Sequence, residues 1–246
     1  MVKLKYNFMD IKDARILITG GSAGIGKATA KMLANAGAKV LITGRDEKKL
    51  QNVAQELGVM YVAANVALPA DIDKTFDMVN NQLGGLDVLI NNAGIGEFPT
   101  LEELSLEDFQ RVYNVNVFGL ALMTQKAAHL FKEQNSGNII NIASTAATKG
   151  FERGTIYASS KFALRGMTEC WQAELRRYNV RVILVNPSEV PTAFAQPDRK
   201  EREDVPHKLT SDEIAQAIKG ALEMDSRGFI KELTVIATNP WLAEGN

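Results

Sequence analysis

A tyrosine and a lysine four residues apart, Tyr157 and Lys161, are the side chains of this protein best suited to moving a proton. In a helix the two lie on one face, one turn apart. Tyrosine is a weak acid with a pKa of about 10. A lysine charge held roughly 5 Å away, at an effective dielectric constant of about 20, contributes about 3 kcal/mol. We therefore expect Lys161 to lower the pKa of Tyr157 by about two units, which suits general acid–base catalysis.

A glycine-rich turn near the start of the chain has the composition of a phosphate-binding loop. Residues 19–26 read Thr-Gly-Gly-Ser-Ala-Gly-Ile-Gly, between a short apolar run and an amphipathic stretch. Such glycines permit a tight turn and let a pyrophosphate approach the backbone and the N-terminus of the next helix. The turn therefore predicts a dinucleotide site, and a glycine-rich turn without a ligand is the structural alternative.

The end of the second predicted strand, residues 43–46, bears on the choice of dinucleotide. An acid about 20 residues after the glycines would bind the ribose 2′-hydroxyl of NAD. Here the strand ends in Gly44, which leaves space, and Arg45, whose guanidinium suits a 2′-phosphate. We interpret Asp46 as the N-cap of the following helix. NADP(H) is favoured over NAD(H), and a solvated surface arginine is the alternative interpretation.

Composition and charge exclude several classes of function. A chain of 246 residues with 46% apolar residues and a net charge of −1 has no electrostatic footprint for nucleic acid or an anionic membrane. Its apolar runs are too short to span a bilayer, and its first residues lack the apolar core of a secretory signal. The single cysteine, Cys170, fits a reducing compartment, so we expect a cytoplasmic enzyme. His129 and His207 have no ligand or triad spacing, so we expect no metal site.

Strand-like and helix-like segments alternate along almost the whole chain. Continuous apolar runs joined by helices predict a parallel sheet covered on both faces, a single α/β domain over residues 1–246. The predicted strands are 15–19, 39–43, 59–64, 86–91, 138–143, 180–186 and 229–237. The predicted helices include 46–57, 69–83, 105–133, the segment around Tyr157 and 210–223.

Two segments break this alternation. Residues 188–209 contain three prolines and a run of charged residues. They form either a solvated loop or a mobile substrate loop over the site, because they follow the carboxyl end of a strand, where open α/β sheets bind ligands. The tail 239–246 has no pattern, and its Trp241 suggests a subunit contact.

Several short motifs occur in one order along the chain, and together they are specific. They are Thr-Gly-x-x-x-Gly-Ile-Gly at 19–26, Asn-Asn-Ala-Gly at 91–94, an Asn at 116, Ser144, and Tyr-x-x-x-Lys at 157–161. In these motifs the chain resembles the short-chain dehydrogenase/reductase family, of the single-domain type of about 250 residues. The resemblance runs from about Arg15 to Ala237. It implies a Rossmann-type doubly wound sheet of about seven strands and oxidoreductase activity with a nicotinamide cofactor.

The resemblance also implies a role for each motif residue. Tyr157 would exchange a proton with the substrate oxygen, and Ser144 would hydrogen-bond and orient that oxygen. Lys161 would bind the nicotinamide ribose and depress the pKa of Tyr157. Asn116 would anchor a water that links Lys161 to solvent, with Asn114 as the rival for that role. The alternatives are that Ser144 caps a loop and that Asn116 is an interior asparagine that bonds the backbone.

The loops and the resemblance together give the set of cofactor-binding residues. It comprises Gly20, Ser22, Ala23, Gly24, Ile25, Gly26, Arg45, Asn65, Val66, Asn92, Ala93, Gly94, Tyr157, Lys161, Pro187, Val190 and Thr192. Two positions depart from the family pattern: Ser188 stands where glycine is usual, and Asn65 stands where an aspartate often faces the adenine. The chain also lacks the glycine-rich end of common fatty-acid-synthesis members, which counts against a straightforward 3-oxoacyl-carrier-protein reductase.

The substrate pocket is expected after Gly94, over 145–151 with Arg153, and after Pro187. Phe98, Phe151 and Phe194 offer apolar surface, while Arg153 or Glu189 would select a charged substrate. The predicted function is NADP(H)-dependent interconversion of a ketone or aldehyde and an alcohol. 3-Oxoacyl thioesters, sepiapterin-like carbonyls and short 3-hydroxy acids all remain open as substrates, and a non-catalytic NADP-binding protein is the competing class. The family resemblance implies a homodimer or homotetramer.

Overall fold

Seven parallel strands form one sheet at the centre of the molecule. The computed structural model describes residues 10–194 and 200–241. The sheet order is β3-β2-β1-β4-β5-β6-β7, and all neighbouring strands run parallel. The strands are β1 (Arg15–Thr19), β2 (Lys39–Gly44), β3 (Met60–Ala63), β4 (Val88–Asn91), β5 (Gly137–Ile142), β6 (Val180–Pro187) and β7 (Glu232–Val235). The prediction of a Rossmann-type parallel sheet is confirmed.

Helices cover both faces of this sheet. They are α1 (Gly24–Asn35), α2 (Glu47–Leu57), α3 (Pro69–Met78), α4 (Leu106–Tyr113), α5 (Leu120–Gln134), α6 (Thr155–Leu175) and α7 (Ser211–Leu222). Apolar residues of α1, α2 and α7 form one core with the sheet, while α3, α5 and the end of α6 form a second core on the opposite face. The strands that serve both cores are therefore apolar on both sides.

The alternation of side chains along a strand explains these apolar runs. In β1, Ile16 and Ile18 enter the first core, whereas Leu17 between them enters the second. The central strands β5 and β6 are buried at every residue. A strand enclosed on both faces gains by being apolar throughout, which is why the predicted strands read as continuous runs rather than as alternating ones.

Three helix starts are capped by a side chain. Asp46 accepts a hydrogen bond from the backbone N–H of Lys49 and caps α2, as predicted. Ser105 caps α4 in the same way, and Thr210 forms a reciprocal capping box at the start of α7. These caps set where each helix begins.

The predicted long helix over 105–133 is not a regular α-helix throughout. Helices α4 and α5 are joined without a break by a π-helical turn, Asn114–Gly119. The helix passes very close to the loop after β3 at this turn, because a Cβ placed on Gly119 would lie 2.1 Å from the carbonyl oxygen of Val66. The predicted helix over 69–83 likewise ends in a π-helical turn, Val79–Leu83. Apolar spacing does not distinguish such a turn from a regular helix.

Smaller differences concern strand ends and the segments outside the described residues. The last strand is shorter than 229–237, and the fourth begins at Val88 rather than at residue 86. Residues 1–9, residues 195–199 of the predicted substrate loop and residues 242–246 of the tail lie outside the described part. Trp241 is 84% exposed. Within 10–194 and 200–241, no helix combines the length and apolar character needed to cross a bilayer.

Candidate active site

The carboxyl ends of the strands open into one cleft of about 1470 Å³. Strand order reverses between β1 and β4, so the loops that follow these two strands diverge and leave a crevice. Apart from Gly26 and Asn116, every residue predicted to act in catalysis or to bind the cofactor lines this cleft. The topology thus brings together side chains that are far apart in the sequence.

The glycine-rich turn after β1 lines one side of the cleft. Gly24 has a φ of +50°, a conformation that glycine adopts without strain. A Cβ on Gly26 would lie 2.3 Å from the carbonyl oxygen of Gly20, so this position tolerates no side chain. Helix α1 begins here without a side-chain cap at Ala23. Its first backbone N–H groups therefore suit an anion from elsewhere in the protein or from a ligand, and the N–H of Gly24 donates to Glu201 Oε1 at 2.8 Å.

Asn92, from the loop after β4, fastens this turn to the neighbouring strand. Its Nδ2 donates to the carbonyl oxygens of Thr19 and Gly20, both at 3.0 Å. The hydroxyl of Thr19 in turn accepts hydrogen bonds from the backbone N–H groups of Asn92 and Ala93 at 3.0 Å. The two loops that border the crevice are thus held together by polar contacts as well as by the sheet.

The end of β2 forms a corner of the same cleft. Arg45 and Ser22 both line the cleft there. A Cβ on Gly44 would lie 3.4 Å from the Ser22 hydroxyl oxygen, so any side chain at position 44 would stand against Ser22. The carboxylate of Asp46 is directed to the start of α2 by its capping bond. The corner therefore presents a hydroxyl and a guanidinium.

The predicted proton-transfer residues Tyr157, Ser144 and Lys161 line the same cleft. Ser144 follows β5 and also caps the turn Thr145–Ala147 through the backbone N–H of Ala146. Lys161, one turn after Tyr157 on α6, is buried and donates to the carbonyl oxygen of Ile142 at 2.9 Å. Its Nζ stands 5.7 Å from the centre of the Tyr157 ring.

The predicted lowering of the Tyr157 pKa is wrong for the protein alone. Burial raises the pKa of Tyr157 to about 12, and the hydrogen bond with Ser144 offsets only part of this effect. Burial also lowers the pKa of Lys161 to about 8. The ammonium lies beside the ring rather than at the hydroxyl, so its charge does not outweigh the desolvation of the phenolate.

Asn116 lies behind the cleft wall rather than in it. Its amide donates to the carbonyl oxygen of Ile95 and to the hydroxyl of Ser160, and its Oδ1 accepts from the N–H of Ile95 at 2.9 Å. The side chain therefore braces the backbone after Gly94 against α6, beside Lys161. It is an interior asparagine that bonds the backbone, and its function as the anchor of a relay water stays a prediction.

The remaining residues predicted to bind the cofactor lie at the rim of the cleft, on both sides of it. The Oδ1 of Asn65 accepts from the N–H of Ala67 at 3.1 Å, so this amide oxygen is engaged in its own turn. Ser188 needs no unusual backbone: its N–H donates to Val235 in the manner of strand pairing. Thr192 lies against the glycine turn, because a Cβ on Gly24 would stand 3.0 Å from its methyl group.

Comparison with known proteins identifies the family. The family model for short chain dehydrogenases matches residues 14–203. The chain belongs to the short-chain dehydrogenase family. An uncharacterized oxidoreductase of Staphylococcus aureus (strain MW2) is 33% identical to it over 232 residues, which cover 92% of this chain and 97% of the relative.

Two solved structures extend the likeness to this short-chain dehydrogenase. A 3-ketoacyl-(acyl-carrier-protein) reductase from Brucella melitensis, complexed with NADH, has a TM-score of 0.85 and 31% identity, covering 94% of this chain and 99% of its own. An alcohol dehydrogenase from Thermococcus sibiricus, complexed with 5-hydroxy-NADP, has a TM-score of 0.82 and 29% identity, covering 91% and 96%. The protein is thus an oxidoreductase of CH–OH groups that uses a nicotinamide cofactor.

Some residues of this short-chain dehydrogenase site were not predicted individually from the sequence. Glu201 and Arg202 belong to the charged run of 188–209, yet they contact the glycine turn and Thr192. Conversely, Arg153 does not line the cleft, and its Nε donates to the carbonyl oxygen of Phe98 at 2.7 Å. Contacts between loops distant in sequence leave no periodic pattern. Among the described residues, no group of three or more His, Cys, Asp or Glu is placed to hold a metal.

Proposed function

We propose that this enzyme interconverts a ketone or aldehyde and an alcohol with NADP(H), and that Tyr157 exchanges the proton with the substrate oxygen. The observation that carries the proposal is that Tyr157 and Ser144 line one cleft together with Lys161, whose Nζ lies 5.7 Å from the centre of the Tyr157 ring. A substrate oxygen at this point would meet two hydroxyl groups at once. Fixed donors placed where negative charge develops are a main source of catalysis.

The residues of the glycine turn fit a dinucleotide. The start of α1 has no side-chain cap, and the carboxylate of Glu201 already bonds its first N–H as an internal anion. The glycine turn, held in place by Asn92, would hold the diphosphate, Thr192 and Val190 would border the nicotinamide, and Lys161 would bind its ribose. When bound, the nicotinamide supplies or accepts the hydride.

The protein's own groups then handle the proton. With a pKa of about 12, the phenol of Tyr157 is protonated at neutral pH and can donate to the alkoxide that forms on a reduced carbonyl. Ser144 orients the oxygen, and Lys161 holds a positive charge beside the ring below pH 8 or so. A carbonyl that gains a hydride and this proton leaves as the alcohol.

The corner at the tip of β2 supports NADP(H) over NAD(H). Arg45 and Ser22 offer donors to a 2′-phosphate, while Asp46 turns its carboxylate to the helix it caps. No acidic side chain stands at position 44, where it would bond a 2′-hydroxyl and repel a phosphate. Our choice of NADP(H) therefore depends on Arg45.

A 3-oxoacyl-thioester reductase is a second candidate. The likeness to the Brucella melitensis reductase favours it, as does the exposed Lys149 at the rim of the cleft, which can meet an anionic carrier outside the pocket. A binding protein without turnover is less consistent with the site, because Ser144, Tyr157 and Lys161 stand together in one cleft.

A Tyr157→Phe variant tests the proposal. It removes only the hydroxyl, so we expect unchanged NADPH binding and a loss of at least about a hundredfold in NADPH-dependent carbonyl reduction. Ketones, aldehydes, diketones and acyl thioesters form the substrate panel. Full activity of the variant would refute the role of Tyr157, and an inactive wild type that binds NADPH would favour the binding protein.

We also propose a homodimer or homotetramer in the cytoplasm. Leu106, Phe118 and Phe162 are 73%, 56% and 45% exposed on α4, the π-helical turn and α6, elements that lie against one another. Exposed apolar side chains on neighbouring elements suit a subunit contact. Cys170 has no second cysteine in the chain with which to pair. Light scattering of the wild type and of a Phe118→Glu variant tests the assembly, which should dissociate in the variant.

A further inference from the structure

Three phenylalanines surround the ring of Tyr157 and form a continuous aromatic wall. The ring centre of Phe98 lies 5.5 Å from that of Tyr157, and the ring centre of Phe194 lies 5.4 Å from it. Phe151 extends the wall outward, 6.1 Å from Phe98. All four rings line the cleft that holds Ser144. The substrate side of the proton donor is therefore apolar.

Close contacts with the protein backbone fix the rings of the wall. A Cβ on Gly96 would lie 2.8 Å from the ring of Phe98 and 3.0 Å from the ring of Phe194, so both rings lean on this glycine. Arg153 holds the carbonyl oxygen of Phe98. The rings of Phe98 and Phe194 come from loops after different strands, yet they meet over one residue.

Two carboxylates near the wall are paired with protein groups, and the exposed Lys149 stands at the rim rather than beside Tyr157. Glu97 forms an ion pair with Arg111 at 2.8 Å. Glu189 is paired with Lys208 at 2.7 Å and with Arg202 at 3.6 Å. A substrate with a carboxylate or ammonium next to its carbonyl would lose water without gaining a partner charge among these groups, which is costly.

We infer that the substrate is a neutral carbonyl compound with an apolar ring or bulky hydrocarbon group beside the carbonyl. Aromatic side chains bind such groups through large buried areas and tilted ring contacts. Short 3-hydroxy acids, whose charge lies close to the reacting carbon, are then poor substrates. This inference rests on the proposed function.

Two matched pairs of ketones test the substrate class. Ethyl acetoacetate and acetoacetate share a skeleton and differ in charge, while acetophenone and acetone differ in the ring. We expect kcat/KM with NADPH to be at least about tenfold higher for the ester and for acetophenone. Phe98→Ala and Phe194→Ala should lower kcat/KM for acetophenone by about tenfold more than kcat/KM for acetone, with NADPH affinity as the check on folding.

Each result bears on a different claim. Preference for acetoacetate over its ester, or for acetone over acetophenone, overturns the substrate class and leaves carbonyl reduction intact. Equal losses for acetone and acetophenone in the phenylalanine variants also overturn it. If the wild type binds NADPH but reduces none of the four ketones, the proposed function fails with it.

A second and independent observation concerns the start of α1. Glu201 bonds the backbone N–H of Gly24 through Oε1 at 2.8 Å and the backbone N–H of Ala193 through Oε2 at 3.0 Å. Its carboxylate thus takes the place of the missing helix cap. Arg202 donates to the carbonyl oxygen of Thr192 at 3.3 Å and keeps the same two segments together.

The carboxylate and a dinucleotide would compete for this position. The N-terminus of a helix attracts one anion, and a carboxylate beside a diphosphate is repelled by it. We propose that Glu201 is an internal competitor of the cofactor diphosphate, displaced from Gly24 when the dinucleotide binds. Cofactor binding then also frees the backbone at Ala193, next to Phe194 of the aromatic wall.

A pair of glutamine variants tests this competition. Glu201→Gln removes the charge and keeps the shape, and Glu203→Gln, at an exposed position two residues on, makes the same change in net charge. We expect Glu201→Gln to bind NADP+ about fivefold more tightly than the wild type in calorimetry, and Glu203→Gln to match the wild type. Inorganic diphosphate should show the same order.

Equal or weaker binding of NADP+ by Glu201→Gln, relative to Glu203→Gln, would overturn the competition and assign Glu201 to the bound complex. Tighter binding by both variants to the same extent would show a general effect of charge and would equally refute it. Circular dichroism of the two variants verifies that each is folded. Wild-type protein that fails to bind NADP+ would instead refute the glycine turn as the diphosphate site.

Discussion

The Nζ of Lys161 lies 5.7 Å from the ring centre of Tyr157 and 2.9 Å from the carbonyl oxygen of Ile142. Burial shifts the two side chains in opposite directions, with the pKa of Tyr157 at about 12 and the pKa of Lys161 at about 8. At neutral pH the pair is therefore a neutral phenol and an ammonium. The site is prepared to give a proton rather than to take one.

The buried charge of Lys161 predicts a specific dependence of stability on pH. The pKa of Lys161 is about 8 in the folded protein, against a usual value of 10.5. Between these values the unfolded chain holds the proton and the folded chain does not, so stability rises with pH across that window. The difference corresponds to about 3 kcal/mol. In Lys161→Met we expect this rise to be absent.

Urea melts of the wild type and the variant at intervals from about pH 7 to about pH 10.5 measure this difference, because the contributions of other groups cancel. Lys161→Met should be the more stable protein at pH 7, with its advantage shrinking as pH rises. Lys149→Met, at an exposed position, should follow the wild type throughout. Parallel curves for Lys161→Met and the wild type would contradict the shift.

The pKa of Tyr157 predicts opposite pH profiles for the two directions of the reaction. Reduction needs the phenol, which dominates well below pH 12, so kcat/KM for a ketone should be flat from about pH 6 to about pH 7.5, where Lys161 also keeps its charge. Oxidation needs the phenolate, so kcat/KM for the alcohol should rise with pH over the same range. Initial rates in both directions measure this, and a flat profile for oxidation would argue against Tyr157 as the base.

Removal of the Arg45 guanidinium should change the cofactor preference. Hydrogen bonds to charged groups contribute about 1.5–3 kcal/mol, so Arg45→Ala should weaken NADPH binding by about tenfold or more and affect NADH little. Lys48→Ala, an exposed residue in the first turn of α2, is the control for general charge. Equal weakening of both dinucleotides by Arg45→Ala would disprove the assignment of the 2′-phosphate to this corner.

Two glycine-to-alanine changes should have opposite effects on stability. At Gly26 the new Cβ would lie 2.3 Å from the carbonyl oxygen of Gly20, so the turn must shift, at a cost of about 2 kcal/mol and with weaker NADPH binding. At Gly220, inside α7, a Cβ meets nothing within 4 Å. Gly220→Ala should therefore stabilise by about 0.5–1 kcal/mol. Thermal melts compare the two, and a neutral Gly26→Ala would contradict the tight turn.

Much of the fold follows from local chemistry that the sequence displays. Doubly buried strands such as β5 and β6 are mostly apolar on both faces, and helix starts such as α2 and α7 have a capping side chain. The loops that bear the motif residues all leave the same edge of a parallel sheet. For this reason the motifs predicted a common site although their residues are far apart in sequence.

The features that the sequence did not predict depend on contacts between distant segments. The pKa of Tyr157 is set by how tightly other loops enclose it. The charge of Lys161, four residues away, therefore led to the wrong expectation of a lowered pKa. Glu201 bonds the start of α1 from the other end of the chain, and Arg153 bonds a backbone carbonyl instead of facing the pocket. The π-helical turn Asn114–Gly119 has no marker in the apolar spacing.

The aromatic wall and the proton-transfer residues belong to different kinds of structural element. Phe98, Phe151 and Phe194 stand on loops, whereas Tyr157 and Lys161 belong to the long helix α6. Loops accept substitutions more readily than packed helices do. Substrate preference in this enzyme can therefore be re-engineered by changing the three phenylalanines one loop at a time. Tyr157 and Lys161 would keep their places on α6 in each redesigned variant, while the pKa of Tyr157 would change with the rings that bury it.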